Sequence, residues 1–205
     1  MSVMQEIVNQ GLVPSGKVKI CFKGKQKELL FMGIKLHDKP SIEHSKKVVK
    51  MGQDVVKFMH KREGKKAELV LLEALKLEPK SPDLLYNLAG SYMVQERKKE
   101  SIELIKKIHQ EYPDYSFARL SVAQFHIEDN ELEEAEELLK PLFTKTEFNH
   151  NEFSKFCELH IKLAMAKKDL KEAHSWLEMW QRMGNEDDEL LEYWTEELED
   201  IFSFI

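Results

Sequence analysis

Eight histidines and two cysteines are the residues of this chain that first suggest chemistry, because imidazole and thiolate groups bind transition metals. The best set of candidate ligands is His150, Cys157, His160 and His174. Cys157 and His160 are one helical turn apart, but zinc sites usually carry ligand pairs at tighter spacing, such as C-x2-C. The sequence therefore favours surface and packing histidines, and it predicts no metal site.

The motifs of common enzyme classes are missing or incomplete. His126-Ile127-Glu128 has the H-x-E spacing of zinc deaminases, but the P-C-x-x-C that would complete such a site is absent. His126 more plainly takes the place of a packing aromatic. Phosphate-binding glycine loops and the G-x-S-x-G nucleophile turn are also absent. Carboxylates are abundant, but a run such as ELEEAEELL is typical of a solvated helix face. We therefore expect no enzyme activity and no cofactor.

Composition places the chain among soluble helical proteins. It has 205 residues, of which 42% are hydrophobic and 33% charged, with few glycines and prolines. No apolar run reaches the roughly 18 residues of a membrane span. The first residues lack the basic and then apolar pattern of a secretory signal. Two cysteines, Cys21 and Cys157, fit a reducing compartment better than a disulfide scaffold. We expect a cytoplasmic protein that does not enter membranes.

The net charge of -6 conceals a strong polarity along the chain. Residues 1–66 carry 15 Lys and Arg against 6 Asp and Glu, a balance of +9. Residues 67–205 carry 16 against 31, a balance of -15. Such asymmetry can steer an acidic partner to one end, or it can favour head-to-tail association.

A set of small and apolar residues recurs through the middle of the chain. The sets are Ala67, Leu71, Ala74 and Pro79; Ser101, Ile105, Ile108 and Pro113; Ala135, Leu139 and Leu142; and Ala173, Leu177 and Trp180. They are offset by 34, 34 and 38 residues. Positions i, i+4 and i+7 share one face of a helix, and the prolines fall where a helix must stop. The spacing therefore predicts one helix per set.

A second helix precedes each of these sets. Its packing residues are Met51, Val55 and Phe58, then Leu85, Leu88, Ala89 and Tyr92, then Val122, Ala123 and His126. Ser81 followed by Pro82 predicts a helix start, and Asn130 with Glu133 predicts another. Lys39-Pro40-Ser41 marks the expected start of the first long helix. Pro141 is expected to end its helix early and so to lengthen the connection that follows.

This helix–turn–helix repeat resembles the tetratricopeptide repeat (TPR). The second unit reads L-x2-L-A-x2-Y, then S-x3-I, then P, against the family pattern W-x2-L-G-x2-Y, then A-x3-F, then P. The resemblance covers roughly residues 48–184, as four units. It implies an all-α solenoid of about four repeats over residues 43–184, because each unit must stack on its neighbours to bury its apolar face.

The N-terminal residues 1–42 differ from the repeats. KVKICFK alternates apolar and polar residues, Gly24 lies in an expected turn, and ELLFMGIKL is the expected return strand of a β-hairpin. An isolated hairpin is marginal in water, so it must pack on the first repeat or on another copy. Five lysines could touch phosphate: Lys17, Lys19, Lys23, Lys25 and Lys27. The segment has no arginine and little exposed aromatic surface, so solvated lysines that block edge pairing are the favoured interpretation.

The C-terminal residues 185–205 predict a capping helix. One helical stripe there is apolar, and it comprises Leu190, Trp194, Leu198, Ile201, Phe202 and Ile205. Terminal repeats of a solenoid need such a cover.

The resemblance also implies a binding surface, because in TPR arrays the first helix of each unit lines a concave groove. Carried across, the groove residues are Val49, Val56, Met59, Tyr86, Asn87, Met93, Phe117, Leu120, Gln124 and Ile127, with Gly52 and Gly90 between them and Lys155, Glu158 and Lys162 in unit four. A groove with methionines and aromatics suits an amphipathic helix or an apolar extended segment. One TPR subfamily clamps chaperone carboxylates with Lys, Asn and Arg, and only Asn87 matches that clamp.

These features predict a non-enzymatic scaffold that binds a protein or peptide in its groove. Two alternatives stay open. A self-associating or dedicated chaperone-like TPR protein would use the groove to shield an apolar segment. In that case the groove is covered by a second subunit of a homodimer or by the chain's own N-terminal segment. A nucleic-acid-associated accessory protein would instead use the lysine-rich N-terminal segment.

Overall fold

The computed structural model describes residues 14–22, 25–32, 34–37, 42–183 and 189–203, with side chains from Ile34 onward. The strands in this part of the chain are β1 (Pro14–Phe22), β2 (Lys25–Met32), β3 (Lys35–His37) and β4 (Glu147–Asn149). The α-helices are α1 (Lys46–His60), α2 (Gly64–Leu77), α3 (Pro82–Val94), α4 (Lys98–Glu111), α5 (Ser116–Glu128), α6 (Leu132–Leu139), α7 (His150–Ala166), α8 (Leu170–Met183) and α9 (Glu189–Ser203). They form two compact units, residues 40–122 and residues 1–39 with 123–205.

The unit of residues 40–122 has the predicted helical repeat at its centre. Its core contains Val48, Val55, Ala67, Leu71, Ala74, Leu84 and Leu88. Ala67 is fully buried and Ala74 almost fully, so these small side chains let the neighbouring helix approach closely. Consecutive helices pack on each other from α1 to α4. The helix pairs expected from the 34-residue spacing are confirmed.

Two helix starts in this unit can be compared with the sequence. Ser81 is the N-cap of α3 and Pro82 its first residue, as predicted, although the Ser81 hydroxyl donates to the side chain of Asp83. The first long helix begins later than expected, at Lys46, with Ser45 as its N-cap. Ser45 Oγ accepts from the Val48 N–H at 3.4 Å. Residues 39–41, where the start was expected, lie outside the described residues.

The turns inside the helix pairs share one backbone conformation. Arg62, Glu96, Asn130 and Lys168 have φ values of 56°, 62°, 61° and 60°. Their offsets of 34, 34 and 38 residues repeat the period of the apolar sets. Asn130 is therefore a left-handed turn residue, and its prediction as a helix cap was wrong. The helix after it begins at Leu132, with Glu131 as N-cap.

In the other unit, the N-terminal strands are confirmed but their extent and packing differ from expectation. β1 pairs antiparallel with β2, whereas Lys23 and Gly24 between them lie outside the described residues. The return strand ends at Met32, and β3 is a separate strand that pairs in parallel with β4. β1 lies against α8, which belongs to the fourth repeat and not to the first.

Pro141 accounts for the irregular connection in this unit. α6 ends at Leu139 after 8 residues, and a 3-10 helix follows at Lys140–Thr144, so the predicted early end is confirmed. The chain then forms β4 before α7 starts. Asn149 and Glu152 form a capping box at that start, in which the Asn149 N–H donates to Glu152 Oε2 at 3.4 Å. Asn149 Oδ1 also accepts from the Asn151 N–H at 3.0 Å.

Large aromatic side chains fill the core of α7 and α8. Phe153, Phe156, Trp176 and Trp180 are fully buried. α9 packs on both helices, with Leu198 fully buried and Trp194 at 8% exposure. The predicted capping helix is confirmed, although the side chains of Phe202 and Ile205 lie outside the described part. Over the described ranges, every helix is too short or too polar to cross a bilayer.

Candidate functional site

The residues assigned to a groove on α1 form an open apolar surface. Val49 is 50% exposed and Val56 is 55% exposed, which is high for valine. A Cβ built on Gly52, between them, would meet nothing within 4 Å. The helix therefore presents two exposed apolar side chains with open space at the glycine between them.

The surface continues from α1 onto α3. A Cβ on Gly90 would lie 3.6 Å from Met59 Cε, so the side chain of Met59 contacts the backbone of α3 at this glycine. Met93 is 41% exposed, and Asn87 is exposed beside it. Tyr86 is half-buried, and burial raises the pKa of its phenol.

Three aromatic rings form one end of this surface. Tyr86, Tyr115 and Phe117 lie with every pair of ring centroids 5.9 Å apart. Tyr86 Oη and Ser121 Oγ are 2.8 Å apart, which ties α3 to α5 beneath the rings. Sequence reasoning missed Tyr115. Its signal was an aromatic residue directly before a predicted helix, but the repeat register did not include that position.

The groove residues predicted on α5, in the third repeat, are only partly exposed to a partner. Leu120 has 0% exposure, so its prediction as a partner-binding residue was wrong. Its neighbours Ala118 and Ala123 on α5 are also fully buried. Gln124 and Ile127 are half-buried and lie on the part of α5 that belongs to the other unit, where Gln124 Nε2 donates to Glu128 Oε1 at 2.7 Å.

We call the following set, all from residues 40–122, the candidate surface: Val49, Gly52, Val56, Met59, Tyr86, Asn87, Gly90, Met93 and Phe117. Its α1 end has a basic flank. Lys46 and Lys50 are exposed, and among the described residues neither has an ion-pair partner. Lys57 lies on the same flank and pairs with Asp54 at 3.2 Å. The surface is therefore apolar in the middle and positively charged along one side.

The unit-four residues assigned to the groove bind each other. Glu158 is 5% exposed, and its carboxylate accepts from Lys155 at 2.8 Å and pairs with Lys162 at 2.5 Å. Burial raises the pKa of Glu158, but the two lysines outweigh that effect, so the net shift is downward. Its charge is thus neutralised within one helix, which leaves little for a ligand to bind.

A second buried carboxylate has the same structural character. Glu68 is 6% exposed and accepts from Lys65, Gln95 and Arg97 at 2.9, 3.1 and 3.1 Å. The hydrogen bond from Lys65 is the main cause that lowers its pKa. A general acid or base needs a pKa near the working pH, so this saturated carboxylate suits packing of α2 against its neighbours and not catalysis.

The candidate metal ligands are dispersed into different roles. His160 is buried and stacks on Trp176, with centroids 3.9 Å apart. Burial, helped by the charge of Lys167, lowers its pKa to about 3. His126 is half-buried and its Nδ1 lies 2.6 Å from a Glu131 oxygen. No group of three or more His, Cys, Asp or Glu residues is arranged to hold a metal within the ranges that the structure covers.

The comparisons with known proteins concern the fold. Neither a protein-family model nor a curated protein matches the chain. Among solved structures, Pseudomonas aeruginosa PilF is similar with a TM-score of 0.58 at 18% identity, over 74% of this chain and 67% of that one. A putative kinesin light chain with nearly identical TPR-like repeats from Podosopora anserina has a TM-score of 0.51 at 16% identity, over 79% and 88%. The chain has the TPR fold that its repeats predicted.

Proposed function

We propose that the chain is a non-enzymatic interaction scaffold that binds an apolar segment of a partner protein on the candidate surface. The supporting observation is the exposure of Val49, Val56 and Met93 on helices that start their repeats. Scattered exposed apolar residues are ordinary, but here they adjoin two glycines and an aromatic cluster. Exposure of such an apolar surface to water is unfavourable in free energy, and a partner that covers the surface removes this penalty.

The chemistry of the surface indicates the class of ligand. Methionine and valine side chains offer adaptable apolar contacts, and the Tyr86 phenol is already bonded within the protein. The exposed Lys46 and Lys50 favour acidic residues beside the apolar ones in the ligand. A short amphipathic segment with apolar anchors and carboxylates satisfies both requirements. A TPR fold commonly carries such a function.

A peptide selection tests this function directly. A random linear peptide library is selected on the full chain and counter-selected on the Val56→Asp variant. We expect enriched peptides that combine apolar and acidic residues. Their affinity, measured by fluorescence anisotropy, should fall by about tenfold or more in Tyr86→Glu and Phe117→Glu, which place a charge among the half-buried rings.

The matched control lies outside the candidate surface. Leu69 on α2 is 56% exposed, close to the exposure of Val56, so Leu69→Asp introduces the same charge on a different face. This variant should bind the selected peptides with unchanged affinity. A selection in which no peptide survives the counter-selection on Val56→Asp, or peptides that lose affinity only in Leu69→Asp, would contradict the proposed function.

A further inference from the structure

Two exposed helix faces of this chain have complementary chemistry. On α1, Val49 is 50% exposed and is flanked by the exposed side chains of Lys46 and Lys50. On α9, Tyr193 is 53% exposed and is flanked by glutamates at the i-4, i+3 and i+4 positions. Each face thus has an apolar centre and a charged border, and the two borders have opposite sign.

The acidic face of α9 is fixed in orientation and lacks cations. Trp194 and Leu198 are buried, so the opposite side of the helix, with Tyr193, faces outward. The glutamates on it are Glu189, Glu192, Glu196, Glu197 and Glu199. All five are exposed, and none has an ion-pair partner in the part of the chain that the structure describes. The rings of Tyr193 and Trp194 contact each other edge to face, with their centroids 5.4 Å apart.

Repulsion between like charges destabilises each of the two faces while it has no partner. Glu192 and Glu196 are four residues apart on α9, and Lys46 and Lys50 are four apart on α1. Like charges at this spacing destabilise a helix. A partner of opposite charge removes the repulsion on both helices at once.

We propose that the α9 face of one copy of this chain docks on the α1 face of a second copy, head to tail. The inference deepens the proposed function, on which it rests, because it names a second copy as a ligand of the α1 end of the candidate surface. The apolar contact is Tyr193 against Val49 and Val56. The charged contact pairs the glutamates of α9 with Lys46 and Lys50.

The charge distribution of the whole chain supports a second copy as the partner. Residues 40–122, the unit that carries α1, hold 16 Lys and Arg against 12 Asp and Glu, a balance of +4. Residues 1–39 with 123–205, the unit that carries α9, hold 15 against 25, a balance of -10, so unlike units of two copies attract each other. One helix against one helix buries less than the roughly 1,200 Å² of stable interfaces, so the association is weak and sensitive to salt. Because the two faces differ, a copy can use both, and the assembly can grow beyond a dimer.

Charge reversal tests the pairing. The basic face is reversed in Lys46→Glu with Lys50→Glu, and the acidic face in Glu196→Lys with Glu197→Lys. Mass is measured by light scattering and sedimentation equilibrium across protein and salt concentrations. The wild-type mass should rise with protein concentration and fall with salt. Each double variant alone should stay monomeric.

Mixing the variants keeps the test independent of folding defects. In an equimolar mixture, the intact α9 of the first variant can meet the intact α1 of the second, and the reversed α1 of the first can meet the reversed α9 of the second. The mixture should therefore associate although neither variant does so alone. A single chain with all four substitutions should associate again, because both signs are reversed together. A wild type that is monomeric at every concentration in low salt, or an association that survives either double variant, would overturn the proposal.

The same experiment separates this inference from the proposed function. Tyr86 is not among the residues that form the head-to-tail contact, so Tyr86→Glu should lower peptide affinity by about tenfold or more while leaving self-association intact. A monomeric wild type that still binds selected peptides would refute the head-to-tail contact alone. Self-association without any selected peptide would refute peptide binding by the aromatic end alone.

Discussion

Tyr86 Oη lies 2.8 Å from Ser121 Oγ, so one hydrogen bond joins α3 to α5 directly beneath the candidate surface. Ser121 is 7% exposed, which leaves its hydroxyl little access to water. Tyr86 therefore has two roles, since its hydroxyl holds two helices together and its ring belongs to the proposed binding surface.

Tyr86→Phe separates these two roles. The substitution keeps the ring among Tyr115 and Phe117 but removes the hydrogen bond, which should lower the free energy of unfolding by about 1 kcal/mol. Urea denaturation measures this loss. Peptide affinity should stay within about twofold of wild type, because the ring that contacts the peptide is retained. Ser121→Ala should cost little more once Tyr86→Phe is present, and fully additive losses would show that the two groups do not interact.

Two glycines should respond to alanine in opposite directions. A Cβ on Gly64 would lie 2.8 Å from the Ser91 carbonyl oxygen and 2.9 Å from Gln95 Cγ, so Gly64→Ala should destabilise the fold by about 1–3 kcal/mol. Gly52 lies mid-helix with open space around its Cβ position, so Gly52→Ala should stabilise by about 0.5–1 kcal/mol. Thermal unfolding of the two variants measures both effects. If Gly64→Ala and Gly52→Ala changed stability by the same amount, the close backbone contact at Gly64 would be refuted.

The repeat was accessible from the sequence because its signal is local. Ala67, Leu71 and Ala74 share one helix face, and the pattern returns at a fixed offset. The pairing of β3 with β4 joins Lys35–His37 to Glu147–Asn149, and no local pattern in either segment specifies a partner so distant in the chain. Of the two expectations for the hairpin, packing on the first repeat was wrong for the same reason, since β1 lies against α8.

The turn residues give a prediction about backbone strain. Glu96 adopts φ 62°, a left-handed conformation that costs a residue with a Cβ about 1 kcal/mol, and glycine removes that cost. Glu96→Gly should therefore raise the free energy of unfolding by up to about 1 kcal/mol. Glu96→Ala is the matched control, since it removes the same side chain but keeps the Cβ, and it should give no such gain. A destabilised Glu96→Gly in chemical denaturation would contradict this account.

The ion cluster at His44 predicts a pH dependence of stability. Its Nδ1 lies 2.6 Å from a Glu78 oxygen and its Nε2 2.5 Å from an Asp83 oxygen, so both nitrogens carry protons. Burial lowers the pKa of His44, but these two bonds outweigh it and raise the pKa above 6.5. The bond from His44, with two from Ser45, lowers the pKa of Glu78 to about 2.

The pKa shifts of His44 and Glu78 limit the pH range of greatest stability from its upper and lower sides. The raised pKa of His44 stabilises the fold fully below pH 6.5, and this is lost as the pH rises through the folded value. The lowered pKa of Glu78 stabilises the fold above pH 4.5, and this is lost as the pH falls towards about 2. His44→Gln should flatten the decline above pH 6.5 in urea denaturation, whereas His60→Gln, at an exposed position, should keep the wild-type profile. Identical profiles for wild type and His44→Gln would refute the cluster's contribution.

The candidate site was harder to predict than the fold, because helical register gives direction but not exposure. Gly52, Tyr86 and Leu120 occupy equivalent positions in successive units, yet the first is open, the second half-buried and the third fully buried. The side chains packed around each helix decide this, and they come from distant parts of the sequence. Asn130 was misassigned for a different reason, since asparagine is common both as a helix cap and in left-handed turns.

The central claim is that a ligand segment contacts the candidate surface, and site-specific photo-crosslinking measures that contact most directly. A benzophenone amino acid replaces Val56 or Met93 on the candidate surface, or Leu69 on α2 as the control. Each protein is irradiated with a selected, labelled peptide at saturating concentration. We expect covalent adducts from positions 56 and 93 and none from position 69. Adducts from position 69 alone, or none from 56 and 93 while anisotropy shows the peptide bound, would contradict the claim.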